Sequence, residues 1–403
     1  MPSEIRISQR ITRVAESATL AIDAKAKALS AAGIDIIGFG AGEPDFPTPH
    51  FIVEAAARAT SDPKNHHYTA ATGLPELKEA IAIKTLRDSG LRYEPSQIIV
   101  TNGAKHAIFN TIVTMVDEGD EVLVPSPFWT TYPELVRLAG GVPIEIPTTH
   151  ENGFKVTPAT IEPYLTKHTR LFLHVSPSNP TGALYTPQET SELATFLADH
   201  DVAVMADEIY EHLTYDGNRS TSIFACSEAL KETGVIVNGV AKTYAMTGWR
   251  IGWMIAPPPV TKAAANLQSQ VTSNISNVSQ RAALAALTAD LSAVQPMIDA
   301  FDQRRRTMTS MLSSIEGVDL ELPQGAFYAF PYVGDLLKKR FGNQSVTSTM
   351  ELAELLLDQA KIAVVPGEAF GAPGYLRFSY ALAEADLVEG IKRFTDFVNS
   401  AEG

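Results

Sequence analysis

Short apolar segments alternate with helical patterns between residues 96 and 206, and this rhythm restricts the possible folds more than any other feature of the chain. The predicted strands cover residues 97–101, 121–124, 142–146, 171–175 and 202–205. Continuous apolar strands separated by helices are typical of a mostly parallel sheet that helices cover on both faces. Ligands bind such sheets at the carboxyl ends of the strands. We therefore predict an α/β fold with its functional site at that edge.

The last third of the chain follows a different rhythm, which predicts a second, smaller α/β domain. The predicted elements there are a long helical region at 260–316, strands at 325–332 and 375–380, and helices at 347–360 and 383–399. A chain of 403 residues is long enough for a large core and a smaller one. We expect a large domain at residues 47–290 and a discontinuous small domain at residues 1–46 and 291–403.

The composition argues against several classes of protein. Apolar residues make up 45% of the chain, charged residues make up 19%, and the formal net charge is −14. A nucleic-acid-binding protein usually carries a basic face, and none is evident in the sequence. The sequence also lacks an apolar run long enough for a transmembrane helix and the apolar core of a signal peptide, and Cys226 is its one cysteine. We expect a cytoplasmic protein that binds neither nucleic acid nor membranes and holds no metal.

Lys242 lies in a glycine-rich loop, Asn238-Gly-Val-Ala-Lys242-Thr-Tyr-Ala-Met-Thr-Gly-Trp-Arg250, between two apolar segments that read as buried strands. Burial lowers the pKa of a lysine, so that a neutral, nucleophilic amine becomes accessible. Such an amine can form a Schiff base with an aldehyde cofactor. An ordinary solvated lysine is the alternative that this segment alone leaves open.

Asp207 and Asn179 each follow a predicted strand and therefore lie at the same edge of the sheet. A carboxylate at the end of a buried strand needs a cationic or hydrogen-bonding partner, and a protonated pyridine nitrogen would serve. The alternative is that Asp207 caps the following turn. Asn179 can donate its amide to a ligand oxygen, or it can simply form the turn at Asn-Pro.

The segment Thr101-Asn-Gly103-Ala104-Lys105 joins a predicted strand to a predicted helix. Backbone amides at a helix N-terminus attract anions, and the segment lacks the longer glycine-lysine motif of a nucleotide-binding loop. A single phosphate group fits it better. Trp129 opens the next crossover, where its ring can stack on a flat ligand or belong to the ordinary core.

Arg377 lies in the second lobe, in the alternating segment Tyr375-Leu-Arg-Phe-Ser-Tyr380. Its guanidinium group suits two-point binding of a carboxylate. The alternative is an internal ion pair with an Asp or Glu of the protein.

Together these segments resemble the class I aminotransferases among the fold-type I pyridoxal-phosphate enzymes, and within them the bacterial aspartate aminotransferases. The resemblance runs from about residue 17 to the last helix. The segments that carry it are Ala41-Gly-Glu-Pro-Asp-Phe46, Tyr68, Gly103-Ala-Lys105, Ser126-Pro-Phe-Trp129, Asn179-Pro-Thr-Gly182, Asp207-Glu-Ile-Tyr210, Lys242 with Arg250, and Arg377-Phe-Ser-Tyr380. The resemblance implies a fold-type I transferase, with a large domain and a smaller α/β domain, that uses pyridoxal 5'-phosphate.

The resemblance implies catalytic roles for Lys242, Asp207 and Tyr210. Lys242 would bind the cofactor aldehyde and later move a proton, while Asp207 would pair with the ring nitrogen. Tyr210 and Asn179 would donate to the ring oxygen, and Trp129 would stack on the ring. The groups implied to hold the phosphate are Gly103, Ala104, Lys105, Arg250 and, from a neighbouring subunit, Tyr68.

The resemblance also implies a substrate site in which Arg377 binds the α-carboxylate and the Gly42 backbone closes over it. The residues implied to contact substrate are Ser17, Thr19, Gly42, Lys105, Trp129, Asn179 and Arg377. Lys105, helped by Ser17 and Thr19, would bind the side-chain carboxylate of a dicarboxylic substrate.

Three positions depart from relatives. Gly239 replaces the phosphate-binding serine of many relatives, so one phosphate contact is in doubt. Ser269 occupies the region where another aspartate-specific branch has an arginine. Ala15 replaces the basic residue of relatives that also accept prephenate, so we do not expect that activity.

These implications predict a homodimeric, cytoplasmic aspartate aminotransferase with shared active sites, which exchanges aspartate and 2-oxoglutarate for oxaloacetate and glutamate. The alternatives are an aminotransferase for aromatic or neutral amino acids, a pyridoxal-phosphate-dependent β-lyase, and a ligand-sensing effector domain. The first two share the cofactor residues, so the substrate residues must distinguish them.

Overall fold

The computed structural model describes residues 5–15 and 18–402. Its strands are β1 (Ile37–Gly38), β2 (Ile98–Asn102), β3 (Glu121–Ser126), β4 (Val142–Pro147), β5 (Thr169–Val175), β6 (Ala203–Asp207), β7 (Val235–Gly239), β8 (Ile251–Ile255), β9 (Tyr328–Ala329), β10 (Arg340–Phe341), β11 (Gln344–Ser345), β12 (Ile362–Ala363), β13 (Val365–Pro366) and β14 (Leu376–Ser379). Its α-helices are α1 (Gln9–Thr12), α2 (Ala18–Ala31), α3 (His50–Thr60), α4 (Pro75–Ser89), α5 (Ala104–Met115), α6 (Thr131–Ala139), α7 (Pro158–Ile161), α8 (Pro187–Asp199), α9 (Glu228–Lys231), α10 (Pro258–Val271), α11 (Asn277–Thr288), α12 (Gln295–Leu312), α13 (Thr349–Leu355) and α14 (Glu384–Asn399).

The main sheet has seven strands in the order β2-β8-β7-β6-β5-β3-β4. Strands β4, β3, β5, β6 and β7 run parallel to one another. Strand β8 is antiparallel to both of its neighbours, β7 and β2. The prediction of a mostly parallel sheet is therefore confirmed.

Successive strand residues alternate between two apolar layers, because neighbouring side chains of a strand point to opposite faces of the sheet. In β2, Ile98 and Val100 join the core that α3, α4, α8 and α11 cover. Ile99 joins the core on the other face, under α5, α6 and α10. Both faces are thus covered, which explains why these strands are apolar throughout.

The C-terminal part of the chain forms a three-stranded sheet, β13-β14-β9, and a parallel pair, β1-β12. Strand β1 belongs to the first forty residues, so an N-terminal segment joins the C-terminal part. This pairing agrees with the expected discontinuous small domain, although the domain limits themselves remain a prediction.

Two predicted elements are shorter than we expected. The helical region at 260–316 is three helices, α10 to α12, because Ser273 has a φ of 58° and new N-terminal caps form at Ser276 and Asp290. The strand at 325–332 is reduced to β9, since Ala326 has a φ of 57° and interrupts the extended backbone. Among the helices of the described residues, none has the length and apolar character needed to span a membrane.

Helix α14 offers a test of how the C-terminal part is held. Phe394 is fully buried and packs against Phe378 of β14 in a tilted arrangement, with ring centroids 5.5 Å apart and an angle of 56° between the rings. We expect Phe394→Ala to lower the free energy of unfolding by about 3–5 kcal/mol in urea titrations followed by circular dichroism. Val388→Ala, an exposed position on the same helix, should change it by less than about 0.5 kcal/mol. Equal losses would contradict this packing.

Candidate active site

An open cavity of about 460 Å³ lies at the carboxyl edge of the main sheet. Its walls come from the ends of β5 and β6, the loop between β7 and β8, the N-terminus of α5, and the C-terminal sheet. The predicted site residues that line it are Thr19, Gly42, Ala104, Lys105, Trp129, Asn179, Asp207, Tyr210, Lys242, Arg250 and Arg377. The structure therefore brings together most of the residues that the sequence singled out.

Two predicted residues do not line this cavity, and a third cannot be located. Gly103 contacts the cavity residue Arg250 rather than the cavity itself. Tyr68 is 91% exposed on the loop between α3 and α4 and is absent from the cavity wall. Ser17 lies outside the described residues.

Lys242 is half-buried on the loop between β7 and β8, and its amine donates a hydrogen bond to the Gly42 carbonyl. Burial, together with the positive charges of Arg250 and Arg377, lowers the pKa of Lys242 to about 8, against the opposing effects of Glu43 and Asp207. The structure therefore favours a perturbed amine over an ordinary solvated lysine. With that pKa, about a tenth of this amine is neutral at pH 7, far more than for an unperturbed lysine, and the neutral form is the nucleophile.

Asp207 ends β6 and is only 4% exposed. Its carboxylate accepts hydrogen bonds from the Tyr132 hydroxyl at 2.8 Å and from the Ile209 amide at 3.2 Å. Burial raises the pKa of Asp207 to about 6, partly offset by these two bonds. The turn-cap alternative is correct, since the bond from the Ile209 amide caps the turn, while the pairing of Asp207 with a ring nitrogen stays a prediction. A buried carboxylate with a raised pKa still gains from a cationic partner.

The N-terminus of α5 forms the second end of the cavity. Gly103 has a φ of 81°, and a Cβ there would collide with the guanidinium group of Arg250. A Cβ at Gly252 would collide with the Ala104 backbone nitrogen. The two glycines thus allow a guanidinium group and the amides of a helix N-terminus to meet. This combination suits a phosphate dianion.

The Gly239 position has a packing explanation. Gly239 pairs directly with Gly252 across β7 and β8, and a Cβ on Gly239 would lie 2.9 Å from the Ile251 carbonyl oxygen. A serine therefore does not fit on this backbone without a local shift. The close approach of the two strands therefore accounts for glycine at this position.

Arg377 lies on β14, is 2% exposed, and donates to Asn179 Oδ1 at 3.0 Å and to the Gly40 carbonyl at 2.8 Å. No carboxylate of the described residues forms an ion pair with it, and its buried Nε has no partner among them. The alternative of an internal Asp or Glu partner is therefore wrong. Burial lowers the pKa of Arg377, although the group remains charged. This guanidinium group is suited to an external carboxylate.

Asn179 lies in the turn that its sequence predicts, and its side chain also contacts Arg377. Its amide oxygen accepts from Arg377, so the amide NH2 is the group that remains to donate to a ligand. Lys105 also lines the cavity, with its amine 4.8 Å from the centroid of the Trp129 ring. Loss of water around this amine and the charge of Arg250 lower the pKa of Lys105.

A largely buried cluster of ion pairs contacts the loop that carries Lys242. The carboxylates of Asp88 and Glu211 and the ring of His212 are close enough to hold a metal ion, but the Lys84 amine already contacts both carboxylates. His212 also contacts the Thr243 hydroxyl at 3.3 Å, next to Lys242. This cluster therefore reads as an ion-pair network that fixes the loop.

Sequence reasoning missed two tyrosines. Tyr132 bonds Asp207, and Tyr328 lies 3.0 Å from Tyr210, hydroxyl oxygen to hydroxyl oxygen. Tyr132 lies three residues after Trp129, a helical spacing that could have placed it on the same side. No local signal marks Tyr328, because its contacts depend on how the C-terminal sheet docks.

Comparison with known proteins agrees with this geometry. Residues 34–394 match the family model described as "Aminotransferase class I and II". The aspartate aminotransferase of Streptomyces avermitilis is 55% identical over 401 residues, which cover 100% of this chain and 98% of that protein. The probable aspartate/prephenate aminotransferase of Aquifex aeolicus is 45% identical over 389 residues, covering 96% of this chain and 97% of that protein. The crystal structure of the aspartate aminotransferase from Rhizobium meliloti superposes with a TM-score of 0.96 at 38% identity, covering 99% of this chain and 100% of that chain.

The environment of Lys242 can be tested on the protein without ligands. We expect the pH dependence of its reaction with an acylating reagent to have a midpoint near pH 8. An unperturbed lysine titrates at about pH 10.4. Peptide mass spectrometry over a pH series measures the labelling of this residue. Glu43→Gln removes a negative charge that raises the pKa of Lys242, so the midpoint should fall in that variant. A midpoint at the unperturbed value would show that the amine is solvated.

Proposed function

Because the chain belongs to the class I and II aminotransferase family, we propose that it transfers the amino group of L-aspartate to 2-oxoglutarate, giving oxaloacetate and L-glutamate. It is an aminotransferase, and the proposal concerns its substrates, cofactor and assembly. The observation that carries the proposal is the convergence of Lys242, Asp207 and Arg377 on one cavity. The named relatives support aspartate as the amino donor.

The residues around the cavity fit pyridoxal 5'-phosphate, the cofactor that the family implies. Asp207 offers a buried carboxylate for a protonated ring nitrogen, and Tyr210 with the Asn179 amide offers donors for the ring oxygen. Arg250 and the amides at Ala104 and the N-terminus of α5 form a cradle that side chains at Gly103 or Gly252 would fill. When bound, the cofactor supplies a ring that withdraws electrons from the substrate Cα.

Side chains of the protein then bind the substrate and move the proton. Arg377 binds the substrate α-carboxylate and orients the Cα–H bond towards Lys242. Lys242 Nζ would take the proton from the substrate Cα and deliver it to the carbon that carries the cofactor's aldehyde, for which a pKa near 8 is well matched to neutral pH. Asp207 keeps its negative charge beside the ring nitrogen, aided by the hydrogen bond from Tyr132.

Lys105 is the basis for a dicarboxylic substrate. Its amine lies over Trp129 at the wall of the cavity that Arg377 also lines, where it can meet a second carboxylate. Thr19 lines the same cavity, whereas Ser269 is exposed on α10 and is absent from the wall. This arrangement favours aspartate over aromatic or neutral amino acids and over a β-lyase reaction. Ala15 offers no basic side chain and its amide contacts Glu134, so we propose no prephenate activity.

We propose a homodimer in which Tyr68 completes the phosphate site of the partner subunit. The support is that Tyr68 is almost fully exposed, while its loop is firmly held: Asn277 donates to the His67 carbonyl at 2.7 Å. An ordered loop that presents an exposed tyrosine suits an intersubunit contact. The division at residues 47–290 and the cytoplasmic location belong to the same proposal.

Half-reactions test the function. With the cofactor bound, single additions of L-aspartate or L-glutamate should convert its visible band to that of the amino form, and lyase products should not accumulate. Lys242→Ala should lower turnover by more than about 1,000-fold, since it removes both the attachment point and the proton carrier. Equilibrium dialysis should still detect cofactor binding by the variant, because Asp207 and Arg250 remain. Normal turnover by Lys242→Ala would refute the assignment.

Lys105 tests the substrate class. We expect Lys105→Met to lower kcat/KM for aspartate by about 10- to 100-fold, because a charge-assisted bond to the distal carboxylate is lost. Alanine and phenylalanine lack that carboxylate and should change by less than about threefold. Lys105→Arg keeps the charge and should retain the preference for aspartate. Equal losses for all three amino acids would contradict a distal-carboxylate role.

A further inference from the structure

Tyr328 of β9 contacts two groups of the proposed site at once. Its side chain is fully buried and lines the cavity. Its hydroxyl oxygen lies 3.0 Å from the hydroxyl oxygen of Tyr210. Its ring centroid lies 4.5 Å from the guanidinium carbon of Arg377. One side chain therefore joins a residue proposed to hold the cofactor to a residue proposed to hold the substrate.

When Tyr210 donates a hydrogen bond to a ligand, the protons of the Tyr210 and Tyr328 hydroxyl groups can take only one arrangement. Each phenol has one proton to donate, and both stay protonated because burial raises the pKa of Tyr210 and of Tyr328. If Tyr210 donates to the ring oxygen of the cofactor, Tyr328 must donate to Tyr210. A donor that also accepts a hydrogen bond is polarised and donates more strongly.

The aromatic ring of Tyr328 lies against the guanidinium group of Arg377. Two guanidinium nitrogens are engaged by Asn179 and Gly40, and the plane lies near the rings of Tyr328 and Phe370, at 4.5 Å and 5.0 Å. No described carboxylate neutralises this charge. Contact with aromatic faces stabilises a desolvated guanidinium group and limits its movement.

We propose that Tyr328 is a positioning residue for the transamination proposed above. Its hydroxyl strengthens Tyr210 as a donor to the cofactor's ring oxygen, and its ring holds Arg377 in place for the substrate carboxylate. Tyr328 acts through these two neighbours and transfers no proton to the substrate. The inference rests on the proposed function, because it needs a cofactor oxygen opposite Tyr210.

Tyr328→Phe removes the hydroxyl and keeps the ring. We expect the pH midpoint of the visible band of the lysine-bound cofactor to rise by about 0.5 pH unit. The reason is that weaker donation to the ring oxygen leaves more negative charge there, so the attached Lys242 nitrogen holds its proton more tightly. Binding of maleate, a dicarboxylate without an amino group, should not change, because the ring over Arg377 remains.

Three further variants make this test specific. Tyr380→Phe removes another fully buried hydroxyl, one that donates to the Ala326 carbonyl at 3.2 Å, and should leave the midpoint unmoved. Tyr210→Phe should raise the midpoint, and adding Tyr328→Phe to it should have no further effect. Tyr328→Leu also removes the ring and should weaken maleate binding by about threefold or more.

The outcomes separate this inference from the proposed function. An unchanged midpoint in Tyr328→Phe, or an equal shift in the Tyr210→Phe background, would overturn the role of the hydroxyl. Unchanged maleate binding by Tyr328→Leu would overturn the role of the ring. If wild-type protein with added cofactor shows no titrating band, or if Tyr210→Phe does not move its midpoint, the proposed cofactor site itself fails.

Discussion

The partial or full burial of three charged side chains around one cavity is the constraint on which the rest of this structure depends. Lys242, Asp207 and Arg377 each have a pKa shifted by loss of water, and none has a full ion-pair partner among the described residues. Moving such groups out of water costs several kcal/mol each. The two apolar layers of the main sheet and the core of the C-terminal part stabilise the fold against this cost. Ligands of opposite charge would recover part of it on binding.

Glycines set how closely the charged groups can approach one another. Gly239 and Gly252 pair across β7 and β8, and Gly252 lets the Ala104 amide lie directly against β8. Gly103 leaves space for the Arg250 guanidinium group. The anion-binding end of the cavity is thus made by backbone groups that no larger residue would allow to meet. Its shape depends on strand pairing as much as on the arginine.

The part of the site that lies on the main sheet could be predicted from the sequence. Strand ends are marked by a change from apolar to polar residues, so Asp207 and Asn179 could be assigned to one edge from their neighbours alone. Lys242 and Arg250 flank a short segment between two buried strands, so they could be placed at the same edge as Asp207 and Asn179. Tyr328 and its contact with Tyr210 could not, because they depend on the docking of the C-terminal sheet. The breaks after α10 and α11 were also missed, since the polar caps Ser276 and Asp290 differ little in sequence from exposed polar residues within a helix.

The first and last parts of the chain meet beside the cavity. Strand β1 pairs with β12, the Ser379 amide donates to the Phe39 carbonyl at 2.9 Å, and Arg377 donates to the Gly40 carbonyl. Ribosomes build a chain from its N-terminus, so all seven strands of the main sheet emerge before Arg377 does. During synthesis the side of the cavity that carries Lys242 can therefore form before the Gly40 carbonyl accepts its hydrogen bond from Arg377. If synthesis stops before residue 377, the chain has the nucleophilic amine of Lys242. It lacks the guanidinium group of Arg377, which is proposed to bind the substrate carboxylate.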